Sequence, residues 1–312
     1  MKRTAFLFPG QGSQAVGMGK DLYQEFDYVR EIFDMAEETA KKKLSKLCFE
    51  GPMPDLTLTV NLQPAVTTVN LACLAVLEKE GRRPDVSAGH SLGEFSALNA
   101  AGIISREDAL RVVFKRGELV HRESTKHEGA MTALVGLSMA EVEEITETAG
   151  AEGIVSVANH NTEKQVVITG SPGPVEKASE LAVAKGARAI RLKVSGAMHS
   201  ELIKGAEEEF KAFLDTVTFH PPESLVLHNV TADSCDDPGE IKTIMVRQLC
   251  SPVRWFESVQ KMIAQEMMEF VEVGPGKVLS GMMKKTLPAD SSATIHNVNS
   301  LKTLEEYLVQ TT

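Results

Sequence analysis

The sequence predicts an α/β fold with a mainly parallel sheet, into which a smaller module is inserted. Along most of the chain, short apolar runs alternate with amphipathic helical windows. This pattern is typical of parallel sheets because each pair of parallel strands needs a long crossover, usually a helix. A central stretch follows a different order of elements. The chain has 312 residues, 43% of them hydrophobic, which is sufficient for a large core without disulfides or metals.

The predicted strands of the larger unit share one feature: each is followed by Gly, Ser or Asn and then by a helical window. They are Thr4–Phe8, Val86–Ala88, Leu225–Asn229 and Glu269–Val273. A strand that leads through turn residues into a helix is the repeating unit expected of a parallel sheet.

The central stretch has the order strand, helix, strand, strand, helix, strand. The strands are predicted at 130–137, 154–158, 165–169 and 187–194, and the helices at 140–149 and 175–185. This order is typical of a ferredoxin-like unit. Turn-prone residues flank it on both sides. We therefore predict a ferredoxin-like subdomain at 128–195, inserted into a catalytic domain formed by 1–127 and 196–312.

Charge and cysteine content exclude several classes of function. With 33 Lys and Arg against 43 Asp and Glu, the net charge is −10, which argues against non-specific nucleic-acid binding. The four cysteines, which lack C-x-x-C spacing, indicate neither a disulfide framework nor a zinc site. No apolar stretch is expected to reach the ~20 residues that cross a membrane. We therefore expect a soluble, cytoplasmic protein that holds no metal.

The segment Gly89–Gly93 is the strongest catalytic motif. It matches G-x-S-x-G, follows a short predicted strand and precedes a helical window. This is the strand–turn–helix context in which a nucleophilic serine is exposed beside a helix N-terminus, where backbone N–H groups can stabilise an oxyanion. Ser91 is therefore the predicted nucleophile, and the alternative is an ordinary strand–helix turn that matches by chance.

A serine nucleophile needs a base, and His199 is the best-placed histidine. It follows a predicted strand and a run of small residues, and it opens an amphipathic helix. The alternative is a solvated histidine at a helix start. No acidic residue between Ser91 and His199 stands out as a third triad member, so a backbone carbonyl is the other candidate for orienting the imidazole.

Arg116 lies on the apolar face of a predicted helix. A capping box at 105–108 opens this helix, and Ala109, Val113 and Val120 form one stripe with Arg116. A guanidinium turned inward needs a partner because an unpaired buried charge is costly. The partner is either a protein carboxylate in a structural salt bridge or the carboxylate of a substrate.

Two glycine-containing turns follow predicted strands, at 8–14 and 272–277. The first fits the relaxed dinucleotide-binding pattern, but no strand that ends in an acidic residue follows about 20 residues later. A loop that presents backbone amides beside the serine is therefore the favoured interpretation.

Taken together, these motifs closely resemble the malonyl-CoA:acyl carrier protein transacylase family. They occur in family order from residue 6 to residue 281, and they are Phe8–Gln14, Gly89–Glu94, Arg116–Gly117, Ser195–Ser200 and Glu272–Lys277. The resemblance implies an α/β-hydrolase-like domain with an inserted ferredoxin-like subdomain. It also implies that the protein acts as a monomer on malonyl-CoA and acyl carrier protein without a cofactor.

The resemblance assigns roles to individual residues. Ser91 would be the nucleophile, His199 its base, and Arg116 the ligand of the malonyl carboxylate. The backbone amides of Gln11 and Leu92 would form the oxyanion hole.

Three further positions match the family. The main-chain carbonyl of Gln248 would orient the histidine, and Asn159 and Met198 would line the substrate cleft. Met198 stands where the family usually has Phe, and the Met-Gln that often follows Arg116-Gly117 is absent. Both departures weaken a prediction of strict malonyl preference.

Two other functions remain open from the sequence. One is the same transfer by a stand-alone acyltransferase of a polyketide synthase, and the other is hydrolysis by a serine thioesterase. Because CoA and the family's carrier proteins are anionic, we expect a local cluster of positive charge near the cleft. The candidates are Arg188, Arg191 and Lys193 in the small subdomain and Lys284–Lys285 in the large domain.

Overall fold

The computed structural model describes residues 2–194 and 196–311, and its strands form two separate sheets. The strands are β1 (Thr4–Phe8), β2 (Val86–Gly89), β3 (Ala130–Val135), β4 (Val155–Thr162), β5 (Gln165–Gly170), β6 (Arg188–Arg191), β7 (Leu225–Leu227), β8 (Glu269–Val273) and β9 (Thr294–Val298). Five of them form a parallel sheet and four form an antiparallel sheet. The predicted α/β class with a mainly parallel sheet is confirmed.

Fourteen α-helices among the described residues connect these strands. They are α1 (Lys20–Glu25), α2 (Asp27–Ala40), α3 (Leu44–Glu50), α4 (Met53–Thr57), α5 (Thr59–Lys79), α6 (Gly93–Ala100), α7 (Arg106–Lys126), α8 (Met139–Ala149), α9 (Pro172–Ala184), α10 (Glu207–Asp215), α11 (Pro238–Arg247), α12 (Trp255–Ala264), α13 (Val278–Thr286) and α14 (Leu301–Thr311). Short 3₁₀ segments follow α8 and precede α10.

The parallel sheet has the strand order β7-β2-β1-β8-β9. Its central strands are almost entirely buried because helices cover both faces: α5, α6 and α7 belong to the core on one side, and α12 and α13 to the core on the other. The sequence prediction missed β9, whose Thr294, His296 and Asn297 interrupt the apolar pattern of an edge strand. It also made β7 two residues too long.

The antiparallel sheet has the order β4-β5-β3-β6, and every neighbouring pair runs antiparallel. The predicted succession of strands and helices is found in this part of the chain, with α8 and α9 packed on one face around Leu134, Val166 and Ile168. Met131 and Val167 lie in a separate apolar cluster of the same sheet, which Met198 contacts. The last residue of the predicted subdomain, Ser195, lies outside the described residues.

Strand β4 joins the small sheet to the larger unit. The N–H of His160 donates to the carbonyl of Val253 at 2.9 Å, and the N–H of Val253 donates to the carbonyl of Ala158 at 2.8 Å. Beside them, Nε2 of His90 lies 2.8 Å from Oδ1 of Asn161. These contacts hold the end of β4 against the turn that follows β2.

Helix α5 changes one expectation. It is 21 residues long and apolar enough to cross a membrane by length and composition, contrary to the expectation that no such stretch exists. However, 89% of its most apolar window is buried inside the protein. The helix packs between α2 and α7 rather than presenting an apolar surface, and such packing is typical of the core helix of a soluble protein.

Candidate active site

The turn after β2 brings Ser91 to the N-terminal end of α6. Ser91 has φ +50°, a left-handed conformation that side chains rarely adopt. The flanking glycines are sterically required, because a Cβ on Gly93 would lie 2.0 Å from the carbonyl oxygen of Phe8, and one on Gly89 would lie 1.9 Å from the carbonyl carbon of Gly93. The strained turn and the close helix–strand contact are the geometry in which G-x-S-x-G exposes a serine hydroxyl.

Asn229, which is buried just after β7, binds this turn through two hydrogen bonds. Its Nδ2 donates to the carbonyl of Gly89 at 2.7 Å, and its Oδ1 accepts from the N–H of Ser91 at 2.7 Å. The two bonds link both ends of the turn to one amide, which helps to hold Ser91 in its left-handed conformation. Sequence reasoning assigned Asn229 only to the end of a strand.

The structure brings Ser91 and His199 together. Oγ of Ser91 lies 2.8 Å from Nε2 of His199. Nδ1 of His199 lies 2.9 Å from the carbonyl oxygen of Gln248 and 3.0 Å from that of Ser251. Carbonyl oxygens only accept, so Nδ1 carries the proton and Nε2 is left to accept from the serine hydroxyl. The sequence reasoning identified Gln248 through the resemblance but missed Ser251.

His199 is 4% exposed, and its pKa is lowered to about 3. Burial is the largest cause and the positive charge of Arg116 acts in the same direction, whereas the carbonyls of Gln248 and Ser251 act to raise the pKa. Burial dominates because a charged imidazolium loses its hydration there. The imidazole is therefore neutral at neutral pH, the form that a general base requires.

Arg116 is buried within reach of the same hydroxyl. One guanidinium nitrogen donates to Oγ of Ser91 at 3.3 Å and to Oε1 of Gln248 at 3.2 Å. The guanidinium also lies 5.8 Å from the ring centroid of Phe95. Burial lowers its pKa to about 10, while the charge of Glu94 acts to raise it. The guanidinium is thus charged at neutral pH.

The alternative of a structural salt bridge is wrong for Arg116. No carboxylate within residues 2–194 or 196–311 pairs directly with it, and its Nε has no hydrogen-bond partner there. A buried cation without an anion costs free energy unless a ligand supplies the anion. The arrangement can therefore receive a carboxylate beside a nucleophilic hydroxyl.

The loop after β1 lies directly against the serine turn. A Cβ on Gly10 would be 2.4 Å from the carbonyl oxygen of His90 and 3.5 Å from the backbone nitrogen of Leu92. Gln11 follows in this loop, and Ser13 closes it by donating to the carbonyl of Gly10 at 2.7 Å. The amides predicted to form the oxyanion hole therefore belong to two segments that are in contact.

The two predicted cleft residues lie in different segments of the chain. Asn159 is buried on β4, where its backbone forms a bridge with Val253. Met198, next to His199, is half-buried and contacts both the main core and the apolar cluster of the small sheet.

Beneath the site is a buried carboxylate that sequence reasoning did not single out. Glu94 accepts from Nδ1 of His228 at 2.9 Å, from Nε2 of Gln248 at 2.7 Å and from the N–H of Asn229 at 3.3 Å. Glu94 ends the motif Gly89–Glu94 and follows Ser91 by three residues at the start of α6, and these are the local signals that could have indicated it.

The candidate basic residues are all exposed but lie in different places. Arg188 and Arg191 are on β6, and the chain continues from β6 through Lys193 to Met198 and His199. Lys284–Lys285 are in the last turn of α13, and Leu287 just beyond lines a surface cavity with Arg3 and Met268, at the edge of the sheet where the strands begin. Ser91 follows the opposite end of β2.

Residues 5–305 match the sequence profile of a family described as "Acyl transferase domain". A protein from Bacillus subtilis (strain 168), named malonyl CoA-acyl carrier protein transacylase, is 48% identical over 287 residues, which are 91% of this chain and 90% of that protein. A protein of the same name from Haemophilus influenzae is 39% identical over 312 residues, covering 99% of this chain and 100% of that protein.

Solved structures agree with these sequence matches. An acyl carrier protein S-malonyltransferase from Vibrio cholerae superposes with a TM-score of 0.92 at 38% identity, covering 98% of this chain and 99% of that chain. A malonyl-transacylase in complex with its type II PKS acyl-carrier protein superposes with a TM-score of 0.94 at 35% identity, covering 99% of both chains.

Proposed function

Since this chain belongs to the malonyl-CoA–acyl carrier protein transacylase family, we propose that it transfers the malonyl group from malonyl-CoA to the phosphopantetheine thiol of an acyl carrier protein in fatty acid biosynthesis. The observation that carries the proposal at the site is the charged guanidinium of Arg116, which has no carboxylate partner in the described parts of the chain and lies 3.3 Å from the Ser91 hydroxyl. A malonyl thioester offers a carbonyl for the serine and a carboxylate for the arginine.

In the first half-reaction, Oγ of Ser91 attacks the thioester carbonyl carbon while its proton passes to Nε2 of His199. The N–H groups of Gln11 and Leu92 would stabilise the oxyanion, where the loss of one donor typically costs about 10²–10³ in rate. The C–S bond then breaks, the proton passes from His199 to the departing CoA thiolate, and a malonyl ester remains on Ser91.

In the second half-reaction, the carrier-protein thiol takes the place of CoA. It gives its proton to His199 and attacks the ester carbonyl, forming a C–S bond. The ester bond to Oγ of Ser91 then breaks, Oγ takes the proton back from His199, and the malonyl group leaves on the carrier protein. The carbonyls of Gln248 and Ser251 support both steps because they fix the imidazole tautomer. Both half-reactions need only side chains and backbone amides, so the proposal includes no cofactor.

Arg116 would select the substrate. Two of its N–H groups can hold the malonyl carboxylate in a bidentate pair, which an uncharged acetyl group cannot form. Asn159 and Met198 would border the acyl group in the cleft. Because Met is flexible, Met198 would tolerate some variation in the acyl chain.

We also propose the finer fold description that the family resemblance implies. The larger unit, 1–127 and 196–312, would be α/β-hydrolase-like, and the smaller, 128–195, ferredoxin-like. The β4-β5-β3-β6 order with antiparallel neighbours supports the second assignment. We further propose a cytoplasmic monomer that acts on soluble partners and binds no nucleic acid, in keeping with the net charge of −10.

A specific observation favours a second candidate carrier. The related malonyl-transacylase noted above is bound to a type II PKS acyl-carrier protein. The same chemistry would then serve polyketide synthesis, since nothing in the first half-reaction depends on the carrier. Comparing kcat/KM for fatty-acid and polyketide carrier proteins would distinguish the two pathways.

Intact-mass spectrometry tests the proposed function directly. After mixing with malonyl-CoA, the wild-type protein should carry one malonyl adduct, and Ser91→Ala should carry none. Ser87→Ala is a matched control because Ser87 is also a buried serine near the turn, but its hydroxyl has no hydrogen-bond partner in the described parts of the chain. Wild-type protein without an adduct, or an adduct that persists in Ser91→Ala, would refute the proposal.

A further inference from the structure

Glu94 is a fully buried carboxylate, and two of its three hydrogen-bond partners contact the reacting residues. Of these partners, Asn229 holds the N–H of Ser91, and Gln248 presents its carbonyl to His199. Glu94 itself contacts neither Ser91 Oγ nor His199. Any effect that it has on Ser91 Oγ or His199 through hydrogen bonds is therefore exerted through these neighbours.

The side-chain amide of Gln248 lies between Glu94 and Arg116. Its Nε2 donates to Oε2 of Glu94 at 2.7 Å and to the carbonyl of Ser91 at 3.0 Å, and its Oε1 accepts from Arg116 at 3.2 Å. A carboxylate only accepts hydrogen bonds, so Glu94 can face the NH₂ end of this amide but not its oxygen. The opposite orientation would direct an NH₂ group at the guanidinium.

We propose that Glu94 is a positioning residue for substrate selection: it orients the amide of Gln248, whose Oε1 in turn holds the Arg116 guanidinium beside Ser91. The inference rests on the proposed function and names a determinant of malonyl selection at the same site. Glu94 makes no direct contact with Arg116 and acts on it through Gln248. It therefore contributes negative charge near Arg116 without occupying the N–H groups that the substrate carboxylate needs.

Charge adds a second consequence. Among the described residues, Glu94 is the group that acts to raise the pKa of Arg116, whereas burial lowers it. The nearby imidazole of His199 supplies no negative charge. Without Glu94, nothing in the described chain would oppose the effect of burial, and the pKa of Arg116 would be lower. The guanidinium then loses its proton at a lower pH, and a neutral arginine does not pair with a carboxylate.

The test compares malonyl-CoA with acetyl-CoA as donors to a carrier protein in wild type and Glu94→Gln. A glutamine at this position can face either end of the Gln248 amide, so the constraint from Glu94 is lost and only the contacts with the Ser91 carbonyl and Arg116 still orient the amide. We expect the ratio of kcat/KM for malonyl over acetyl to fall about 10-fold, the scale of one hydrogen bond to a charged group. An unchanged or increased ratio would overturn the proposal, and an increase would indicate that Glu94 merely repels the substrate carboxylate.

Glu272→Gln is the matched control. Glu272 is also fully buried and also accepts three hydrogen bonds, but its partners are the N–H groups of Leu279 and Ser280 and the amide of Asn297, outside the site. This variant should lose stability while it keeps the malonyl-to-acetyl ratio of the wild type. A ratio that falls as much as in Glu94→Gln would show that the effect is not specific to Glu94.

A double-mutant cycle tests whether Glu94 acts through Gln248. Gln248→Leu removes the amide but keeps the main-chain carbonyl, and it should lower the ratio by about 10-fold on its own. In that background, Glu94→Gln should change the ratio by less than about 2-fold, because interacting positions are not additive. Additive effects of the two substitutions on the ratio would overturn the proposal that Glu94 acts through Gln248. If Glu94→Gln does not fold, Gln248→Leu alone tests the same contact.

The pH dependence separates positioning from loss of structure. From about pH 7 to about pH 9.5, the malonyl-to-acetyl ratio should decline at a lower pH in Glu94→Gln than in wild type, because Arg116 loses its proton earlier. Coincident pH profiles of the two proteins would contradict an effect of the Glu94 charge on Arg116.

Failure of the wild type to form a malonyl adduct would refute the proposed function, whereas normal loading with unchanged ratios in the variants would refute only the role of Glu94.

Discussion

Two buried histidines lie near the serine turn, and they have opposite kinds of partner. His199 contacts Ser91 through Nε2 and two carbonyl oxygens through Nδ1. His228 donates from Nδ1 to the Glu94 carboxylate, and its Nε2 has no hydrogen-bond partner in the described chain. In a Ser-His-Asp triad one histidine contacts both the hydroxyl and the carboxylate. Here the two contacts are divided between two histidines.

The division separates two tasks. Neutral carbonyls fix the tautomer of His199 without placing a negative charge beside it, and its pKa stays near the low value of about 3. The carboxylate is instead part of the network that orients Gln248. In the proposed complex, the negative charge arrives with the substrate, which neutralises Arg116 and makes His199 a stronger base when the malonyl group is bound.

Removing each histidine is the strongest test of this division. His199→Ala should slow malonyl loading by about 10²–10⁴-fold, the usual contribution of a general base. His228→Ala should slow loading much less but should destabilise the protein by about 1–3 kcal/mol, because Glu94 loses a donor. Single-turnover loading and urea unfolding measure the two effects. Equal losses of loading rate in two folded variants would contradict the division.

Replacing Arg116 tests the role of the positive charge that lies beside Ser91 and His199. Arg116→Ala should lower malonyl-to-acetyl discrimination by about 10–100-fold, because a charge-assisted bidentate pair is lost. Arg116→Lys keeps the charge but not the planar fork, so it should recover only part of the discrimination. Competition between the two CoA thioesters measures this ratio. A variant that discriminates like the wild type would contradict the carboxylate-binding role.

The pH dependence of loading tests the environment of His199. With a pKa of about 3, His199 stays neutral between about pH 7 and about pH 5.5, so kcat/KM for loading should fall less than about 2-fold. A base with the ordinary pKa of about 6.5 would lose about 10-fold at the lower pH. A loss of that size would show that His199 is not buried as described.

The same pKa has a consequence for stability. The unfolded chain binds a proton at this histidine below about pH 6.5, whereas the folded chain does not until about pH 3. Stability should therefore decline as the pH falls through this window, by up to about 1.4 kcal/mol per pH unit from His199. The slope should be shallower in His199→Ala, as measured by urea unfolding at several pH values.

The smallest expected effect lies outside both histidine regions. Reversing Arg188 and Arg191 to Glu should lower kcat/KM for the carrier protein a few-fold at low salt and reduce its salt dependence, since charge complementarity acts mainly on association. Reversal of Lys284–Lys285, at the other edge of the sheet, is the matched control. Equal effects of the two reversals would mean that the location of the charge is unimportant.

Local patterns predicted much of the fold. Apolar runs followed by turns located β1, β2 and β8, and the order of the central elements was correct. Strand β9 was missed because its alternation is weak and its burial depends on the neighbouring β8 and α14. The length of α5 as an apolar helix was also missed, since Gln63 and Asn70 interrupt the apolar run and their burial is decided by neighbouring helices.

The sequence by itself determined the turn that carries Ser91, since the glycines at positions 89 and 93 and the helix start are local requirements of that turn. It also placed Arg116 on an inward helix face. Only the tertiary structure decided which groups meet there: Asn229 lies 138 positions from Ser91 along the chain, and Gln248 lies 154 positions from Glu94. Hydrogen bonds of this kind depend on the packing of distant segments, and no local pattern of hydrophobicity or spacing encodes them.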